Sequence, residues 1–127
     1  TLRRDGSPRI SGTEADVVNG DLWFGSMWQA VKARDLNRDG RFALHSASTA
    51  PPDWAGDAKV AGIAVEVDDG QAKRALLEAG GNEGITGDWH LFRADVREVV
   101  VVGLNEERTK MVIESWHEGR GVSGFER

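Results

Sequence analysis

A serine and three basic residues occur at spacings that suit the binding of an anion. Ser26 follows a strand-like run, and Gln29 three positions later completes the pattern of a helix capping box. A helix N-terminus offers unpaired backbone N–H groups and the positive end of a dipole, so an anion is stabilised there. Lys32 adds a positive charge one turn into this helix, and Arg34 and Arg38 follow four positions apart. The pattern therefore predicts either a phosphate-binding helix start or a solvated basic helix face.

Composition excludes several classes of function before any fold is considered. The chain has 127 residues, a formal net charge of −5 and a pI near 5.2, which argues against the dominant basic field that nonspecific nucleic-acid binding needs. It contains no cysteine, so disulfides, thiolate chemistry and cysteine-ligated metal sites are excluded. No apolar run reaches the length of a membrane span and no signal-like segment is present, so we expect a cytoplasmic protein.

Turn residues and apolar periodicity divide the chain into short strands and two helices. Asp5-Gly6 and Asn19-Gly20 supply the positive φ angles of tight hairpin turns. Strands are predicted at 1–4, 9–13, 22–24, 41–46, 59–67, 91–102 and 110–117, and helices at 26–39 and 70–79. We expect residues 99–102 to be buried on both sides of the sheet. The glycine-rich residues 119–127 are expected to be ordered only by a ligand or a partner.

Strands that follow one another through hairpins predict an antiparallel, mainly β fold, in one domain over residues 1–127. Closing the sheet into a barrel would remove its exposed edges. A doubly wound α/β fold is disfavoured because it needs strands and helices in regular alternation. The indole rings of Trp23, Trp54 and Trp89 are expected to lie in the core or in an interface.

Three motifs in a fixed order give the chain a resemblance to a known superfamily. They are Thr1-Leu2-Arg3-Arg4-Asp5-Gly6-Ser7-Pro8-Arg9, the segment Lys-Ala-Arg-Asp-Leu-Asn-Arg-Asp-Gly-Arg that begins at Lys32, and Trp116-His117-Glu118-Gly119 followed by Arg127. With these motifs, nearly the whole chain resembles the pyridoxamine 5′-phosphate oxidase-like superfamily, the FMN-binding split barrels. The resemblance implies a six-stranded antiparallel split β-barrel of Greek-key topology with two or three short helices.

The resemblance also implies cofactor-binding roles for individual residues. Five residues of one segment would lie along a flavin: Arg9, Ile10, Ser11, Gly12 and Thr13. Three residues at a strand end would approach the ribityl phosphate: Phe24, Gly25 and Ser26. Lys32 resembles the family's phosphate-binding lysine, and Arg34 would assist it because Val31 stands where an arginine often precedes that lysine. Lys59 falls where many members have a polar residue near the isoalloxazine.

The same resemblance implies a dimer and a cofactor-borne reaction. Trp116 and Arg127 resemble a tryptophan and an arginine that reach the cofactor from the partner subunit, which implies a homodimer. FMN is the expected cofactor, and the implied activity is hydride or electron transfer to a small-molecule redox substrate. Because the flavin itself carries such chemistry, no catalytic side chain and no metal ligand are expected.

Two departures from the family pattern concern the substrate. The interval 119–126 lacks the Arg-x-His group with which the true oxidase binds the phosphate of its substrate. Glu14 replaces the lysine that closes the Arg9 segment, and a carboxylate there would repel a phosphorylated substrate. We therefore expect an oxidoreductase other than a pyridoxamine phosphate oxidase.

The residues leave alternative cofactors open. A deazaflavin of the F-420 type is one alternative, because deazaflavin-using relatives share the lysine–arginine helix start. A haem-binding barrel is a second class of function, and it would need an axial ligand such as His45, His90 or His117. A dimer that carries a cofactor without turnover is a third.

Overall fold

The computed structural model describes residues 1–81 and 84–127, which form a mainly β, antiparallel fold of seven strands and two helices. The elements in chain order are β1 (Ala15–Val18), β2 (Asp21–Met27), α1 (Val31–Arg38), β3 (Arg41–His45), β4 (Asp57–Glu66), α2 (Gly70–Ala79), β5 (Trp89–Leu104), β6 (Met111–His117) and β7 (Gly121–Glu126). The predicted bounds of β3, β4, β5 and β6 agree with these to within two residues.

The strands are ordered β1-β2-β5-β4-β3, and β6 pairs with both β5 and β7. Seven strands are present where the resemblance implied six. By their internal contacts, the described residues form two compact units. The first comprises Thr1–Phe42 and Ile63–Asp95, and the second comprises Ala43–Gly62 and Val96–Arg127. The organisation of the chain as one domain stays a prediction.

The turn at Asn19-Gly20 forms as predicted. The φ angles of Asn19 and Gly20 are 53° and 83°, the left-handed values that a two-residue hairpin loop requires. The turn places Val18 opposite Asp21 and so sets the register of β1 against β2. A local sequence signal therefore fixes the start of β2.

The first predicted hairpin forms only in part. A tight turn at the start of the chain is closed by an isolated bridge between Leu2 and Pro8. The strands predicted at 1–4 and 9–13 are wrong, because in the described chain these residues lie outside the seven strands. The backbone of Arg9 still pairs with Thr1, and side-chain hydrogen bonds connect Arg9 to α1 and Thr13 to β2.

Helix α1 begins at Val31 rather than at Ser26, so the predicted capping box is wrong. Ser26 lies in β2, where it pairs opposite His90 of β5. The backbone reverses after this strand at Gln29, whose φ of 57° is left-handed. Ala30 is the N-cap residue of α1 and supplies no side-chain hydrogen bond. Pairing with a strand far along the chain has thus extended β2 through the residue expected to start a helix.

Helix α2 has the bounds that the sequence predicts. The carboxylate of Asp69 accepts hydrogen bonds from the backbone N–H groups of Ala72 and Gln71, at 3.0 and 2.8 Å. These hydrogen bonds lower the pKa of Asp69. Among the described residues, no helix is long and apolar enough to cross a membrane.

Two expectations concern the second unit. Most of residues 119–127 form β7, which pairs with β6 along its length, and Met111 and Arg127 exchange two backbone hydrogen bonds of 2.8 Å, whereas ordering by a ligand or partner stays a prediction. Residues 99–102 are not buried on both sides, since Val101 is 47% exposed. Successive residues of a strand face opposite sides of a sheet, and the Val101 side of β5 faces solvent.

The apolar core of the first unit is built around three phenylalanine rings. The ring centroid of Phe24 lies 5.4 Å from that of Phe42 and 5.7 Å from that of Phe92. Helix α1 contributes the buried side chains of Ala33 and Leu36. Burial of this apolar surface stabilises β2, β5 and α1, the elements that carry the residues of the candidate site.

A buried carboxylate on α1 connects this helix to the N-terminal residues. One oxygen of Asp35 accepts hydrogen bonds from Arg9 Nε at 2.6 Å and from the Thr1 hydroxyl at 3.1 Å, and the other accepts from the Arg38 guanidinium at 3.0 Å. Burial acts to raise the pKa of Asp35, but these hydrogen bonds outweigh it and lower the pKa from 3.8 to about 2. The network holds the segment that follows Arg9 against α1.

Because the pKa of Asp35 is lower in the folded protein, its ionised form stabilises the fold above pH 3.8, and this contribution is lost as the pH falls towards 2. We predict that Asp35→Asn lowers the free energy of unfolding at neutral pH by about 1.5–3 kcal/mol, the range for hydrogen bonds to a charged group. The variant should also lose less stability than the parent between roughly pH 4 and pH 2. Urea unfolding at a series of pH values measures both effects. The control is Asp53→Asn, at an exposed aspartate, and an equally steep acid loss in Asp35→Asn would contradict the prediction.

Candidate functional site

The first unit contains a cavity of about 610 Å³, hereafter called the cofactor-site cavity because the resemblance implies cofactor binding for several of the residues that line it. Six of the predicted cofactor-binding residues line it: Gly12, Thr13, Phe24, Gly25, Ser26 and Lys32. Three segments thus meet here, namely the chain before β1, the second half of β2, and the start of α1. The volume lies within the range of about 300–1,000 Å³ that is typical of small-molecule sites.

Lys32 supplies a half-buried positive charge to this cavity. Its Nζ donates a hydrogen bond to the carbonyl oxygen of Gly12, at 2.9 Å. Partial burial lowers the pKa of Lys32, and the nearby carboxylate of Glu14 opposes this shift without cancelling it. The charged form of Lys32 is therefore destabilised by its partial loss of hydration. An anion in the cavity would stabilise this charged form.

Ser26 and Thr13 place two hydroxyl groups along the cavity wall. Ser26 is buried, and its hydroxyl donates only a long hydrogen bond of 3.4 Å to the carbonyl oxygen of Met27. The Thr13 hydroxyl donates to the carbonyl oxygen of Gly25 at 3.2 Å and so ties the segment before β1 to β2. The weakly bonded Ser26 hydroxyl is the group better suited to accept or donate a further hydrogen bond to a ligand.

The rest of the cavity wall is mostly apolar. Its apolar lining residues are Val18, Trp23, Met27, Leu76, Leu77, Ile85, Trp89 and Leu91. Trp23 and Trp89 thus line a cavity, where the sequence analysis expected core or interface rings. The contribution of α2 was missed by sequence reasoning. The adjacent pair Leu76-Leu77 indicates an apolar side of the predicted helix, but the sequence does not show that this side faces β2.

The acidic residues of the lining are Glu14 and Asp16, and both are exposed. Charges in contact with water are screened, so their effect on a ligand is weaker than that of the half-buried Lys32. Within residues 1–81 and 84–127, no group of three or more His, Asp or Glu side chains is placed to hold a metal ion.

Four predicted residues of the first unit do not line the cavity. The guanidinium of Arg9 is bound by Asp35. Ile10 and Ser11 are exposed, and Arg34 is exposed on α1. The structure therefore brings Gly12 and Thr13 to the cavity but not the first part of the same predicted segment.

Five further candidates belong to the second unit. They are Lys59 on β4, His45 on β3, Trp116 and His117 on β6, and Arg127 after β7. Lys59, His45 and Arg127 are exposed, and the Arg127 guanidinium lies 5.6 Å from the centre of the Phe125 ring. The cofactor and partner roles implied for these residues stay predictions.

A buried histidine holds the turn between β2 and α1. The rings of His90 and Trp28 are stacked, with centroids 4.7 Å apart and planes 10° apart. The Nε2 atom of His90 accepts a hydrogen bond from the backbone N–H of Gln29, at 3.2 Å. Because Nε2 accepts this hydrogen bond, Nδ1 is the nitrogen that donates to the Glu66 carboxylate. Since both nitrogens are engaged within the protein, His90 has none left for a haem iron.

No family model matches the chain, and no curated protein matches it either. Among solved structures, its fold is similar to that of PhzG from Burkholderia lata 383, determined in complex with tetrahydrophenazine-1-carboxylic acid. The TM-score is 0.67 and the sequence identity 13%, and the match covers 100% of this chain and 78% of the PhzG chain. At this identity the likeness shows the fold alone, a mainly β antiparallel fold similar to that of PhzG.

We predict that His90→Ala lowers the free energy of unfolding by about 2–4 kcal/mol, because it leaves a cavity and removes the acceptor of the Gln29 N–H and the partner of Glu66. The emission of Trp28 should change with the loss of the stacked ring. Chemical unfolding followed by tryptophan fluorescence measures both. His45→Ala, at an exposed histidine, is the control and should stay within about 0.5 kcal/mol of the parent. Equal stability of the two variants would show that the His90 contacts do not hold this turn.

Proposed function

We propose that the chain is an oxidoreductase that binds FMN in the cofactor-site cavity. The observation that carries the proposal is a cavity with apolar and aromatic walls whose lining also includes a half-buried ammonium, Lys32, and a buried hydroxyl, Ser26. FMN has the matching halves, an anionic phosphate and a flat ring system. The shared fold adds support by analogy, because many members of the pyridoxamine 5′-phosphate oxidase-like fold bind flavin.

The polar lining residues fit a phosphate. Lys32 has two N–H donors beyond the one given to the Gly12 carbonyl. A phosphate beside it would also restore the stabilisation that partial burial removes from the ammonium. The buried hydroxyl of Ser26 is a further hydrogen-bonding group in the cavity lining.

The apolar lining residues of the cavity fit a flat ring. Trp23, Trp89 and Leu91 come from two paired strands, and Leu76 and Leu77 come from α2. Such side chains bury the faces of an aromatic system and keep water from it. The cavity therefore offers both the charge and the apolar surface that a tailed aromatic cofactor requires.

When bound, FMN supplies the hydride or electron transfer. The residues of this chain then have three tasks, which are to neutralise the phosphate, to orient the ring and to exclude water. No acid, base or nucleophile from the chain is required. The interval 119–126 lacks the Arg-x-His group with which the true oxidase binds the phosphate of its substrate, so the proposed substrate is a small redox-active molecule other than pyridoxamine phosphate.

The proposal includes a homodimer. Val101 of β5 and Val122 of β7 are exposed apolar residues on the same face of the sheet, since Val101 pairs with Glu114 and Glu114 with Gly124, two residues from Val122. Trp116, opposite Val122 on β6, lies on this face too. An exposed apolar surface marks an interaction site, and a second copy of the chain is the proposed occupant. A second copy seated here would contact Trp116, whereas the partner role of Arg127 rests on the family resemblance alone.

We predict that the purified chain binds FMN and that Lys32→Ala weakens this binding ten- to hundredfold, or by about 1.5–3 kcal/mol, through loss of a charge-assisted contact. Flavin fluorescence quenching during titration gives the dissociation constants. The matched control is Arg34→Ala, two residues away on the same helix but exposed outside the cavity lining. Its affinity should change far less, because a solvated charge contributes little.

An equal loss in the Lys32 and Arg34 variants would contradict the assignment of the phosphate to the cavity. If the chain binds a deazaflavin instead of FMN, and Lys32→Ala weakens that binding to the same extent, the assignment of the site is retained and the assignment of the cofactor is revised. Uptake of neither would overturn the proposed function.

We predict that the chain sediments as a dimer and that Val122→Lys shifts it towards the monomer, because a charge would then be buried in the apolar contact. Gln71→Lys, an added charge on the exposed surface of α2, is the control and should leave the dimer intact. Sedimentation velocity at several concentrations measures the distribution. A parent chain that stays monomeric would contradict the proposal of a homodimer.

A further inference from the structure

A second cavity, of about 730 Å³, lies in the first unit next to the cofactor-site cavity. Leu77, Ile85 and Trp89 line both cavities and are called the partition here. A ligand in the second cavity is thus separated from the cofactor-site cavity by three side chains. The volume again lies in the range of about 300–1,000 Å³ that holds small organic molecules.

Trp28 gives the second cavity an aromatic platform. One side of its indole is stacked on the buried ring of His90, which fixes the orientation of the indole. The side chain nonetheless remains 53% exposed, and it lines the cavity. A half-exposed indole whose orientation is fixed by the stacked His90 ring is suited to stacking against a planar ligand.

Lys73 determines the sign of charge that the cavity favours. It is the half-buried member of the charged lining residues, whereas Asp68, Arg74, Glu78 and Asp88 are exposed. Exposed charges are screened by water, so the least solvated charge has the largest effect on a bound ligand.

The Lys73 ammonium is also held in a fixed position. Its Nζ donates to the carbonyl oxygen of Trp89 at 2.8 Å and lies 5.4 Å from the centre of the Trp89 ring. Two further N–H donors remain on the same group. An ordered cation with donors to spare, beside the partition, is suited to an anionic oxygen.

From these observations we infer that the second cavity binds a planar aromatic anion, with its ring against Trp28 and its anionic group at Lys73. This binding does not rest on the proposed function, because the three side chains of the partition separate the two cavities.

The test uses two probes of equal ring size and opposite charge, 2-naphthoate and 2-naphthylmethylammonium, titrated at neutral pH and followed by calorimetry. The naphthoate is expected to bind at least about tenfold more tightly than the ammonium compound. Lys73→Met should weaken naphthoate binding by about tenfold, Lys73→Arg should largely retain it, and Trp28→Ala should weaken it. The control is Arg74→Ala, at an exposed lining residue, which should change it little.

Repeating the titration with saturating FMN separates this inference from the proposed function. Naphthoate that still binds in the presence of FMN occupies the second cavity, and naphthoate displaced by FMN would overturn the assignment. Tighter binding of the ammonium probe would overturn it too, as would equal effects of Lys73→Met and Arg74→Ala. If Lys73→Met does not fold, the comparison of the two probes on the unaltered chain decides. A chain that binds naphthoate but no flavin would retain this site and contradict only the cofactor.

Discussion

The hydrogen bond from the backbone of Gln29 to His90 decides where β2 ends and where α1 begins. It stabilises a left-handed residue between the two elements, so that Ser26 remains on a strand while Lys32 starts a helix. A hydroxyl and an ammonium from different kinds of element then line the same cavity. Trp28, whose indole is stacked on His90, lines the neighbouring cavity. The buried imidazole of His90 thereby orders residues that line both cavities.

The second constraint is the charge network around Asp35. The carboxylate binds Arg9, which the family resemblance placed on the flavin, and this pairing draws the following segment towards α1. The carbonyl oxygen of Gly12 can then accept from Lys32. Arg9 would thus support the proposed site by holding the chain in place. A buried carboxylate of this kind is stable because hydrogen bonds satisfy both of its oxygens.

Sequence reasoning succeeded where the determining interactions are local. The turn at Asn19-Gly20 follows from the φ angles those residues tolerate, and α2 follows from its apolar spacing and terminal glycines. Sequence reasoning failed where pairing with residues far along the chain determines the local structure. The capping pattern at Ser26 is a valid local signal, but pairing with His90 of β5 overrides it. The apolar wall from α2 was also missed, since a helix prediction does not include the direction its side chains face.

The hairpin of β6 and β7 leaves one side of β7 without a strand partner in the described chain. The unpaired N–H and C=O groups along that edge are a template on which another extended peptide can continue the sheet. The strand contains no proline, and its two apolar residues, Val122 and Phe125, are exposed. The glycines at 121 and 124 oppose such growth by weakening β propensity, and the charged Glu126 and Arg127 oppose it through the cost of removing their charges from water. Replacing these few residues by β-branched ones would therefore favour the addition of another strand at this edge.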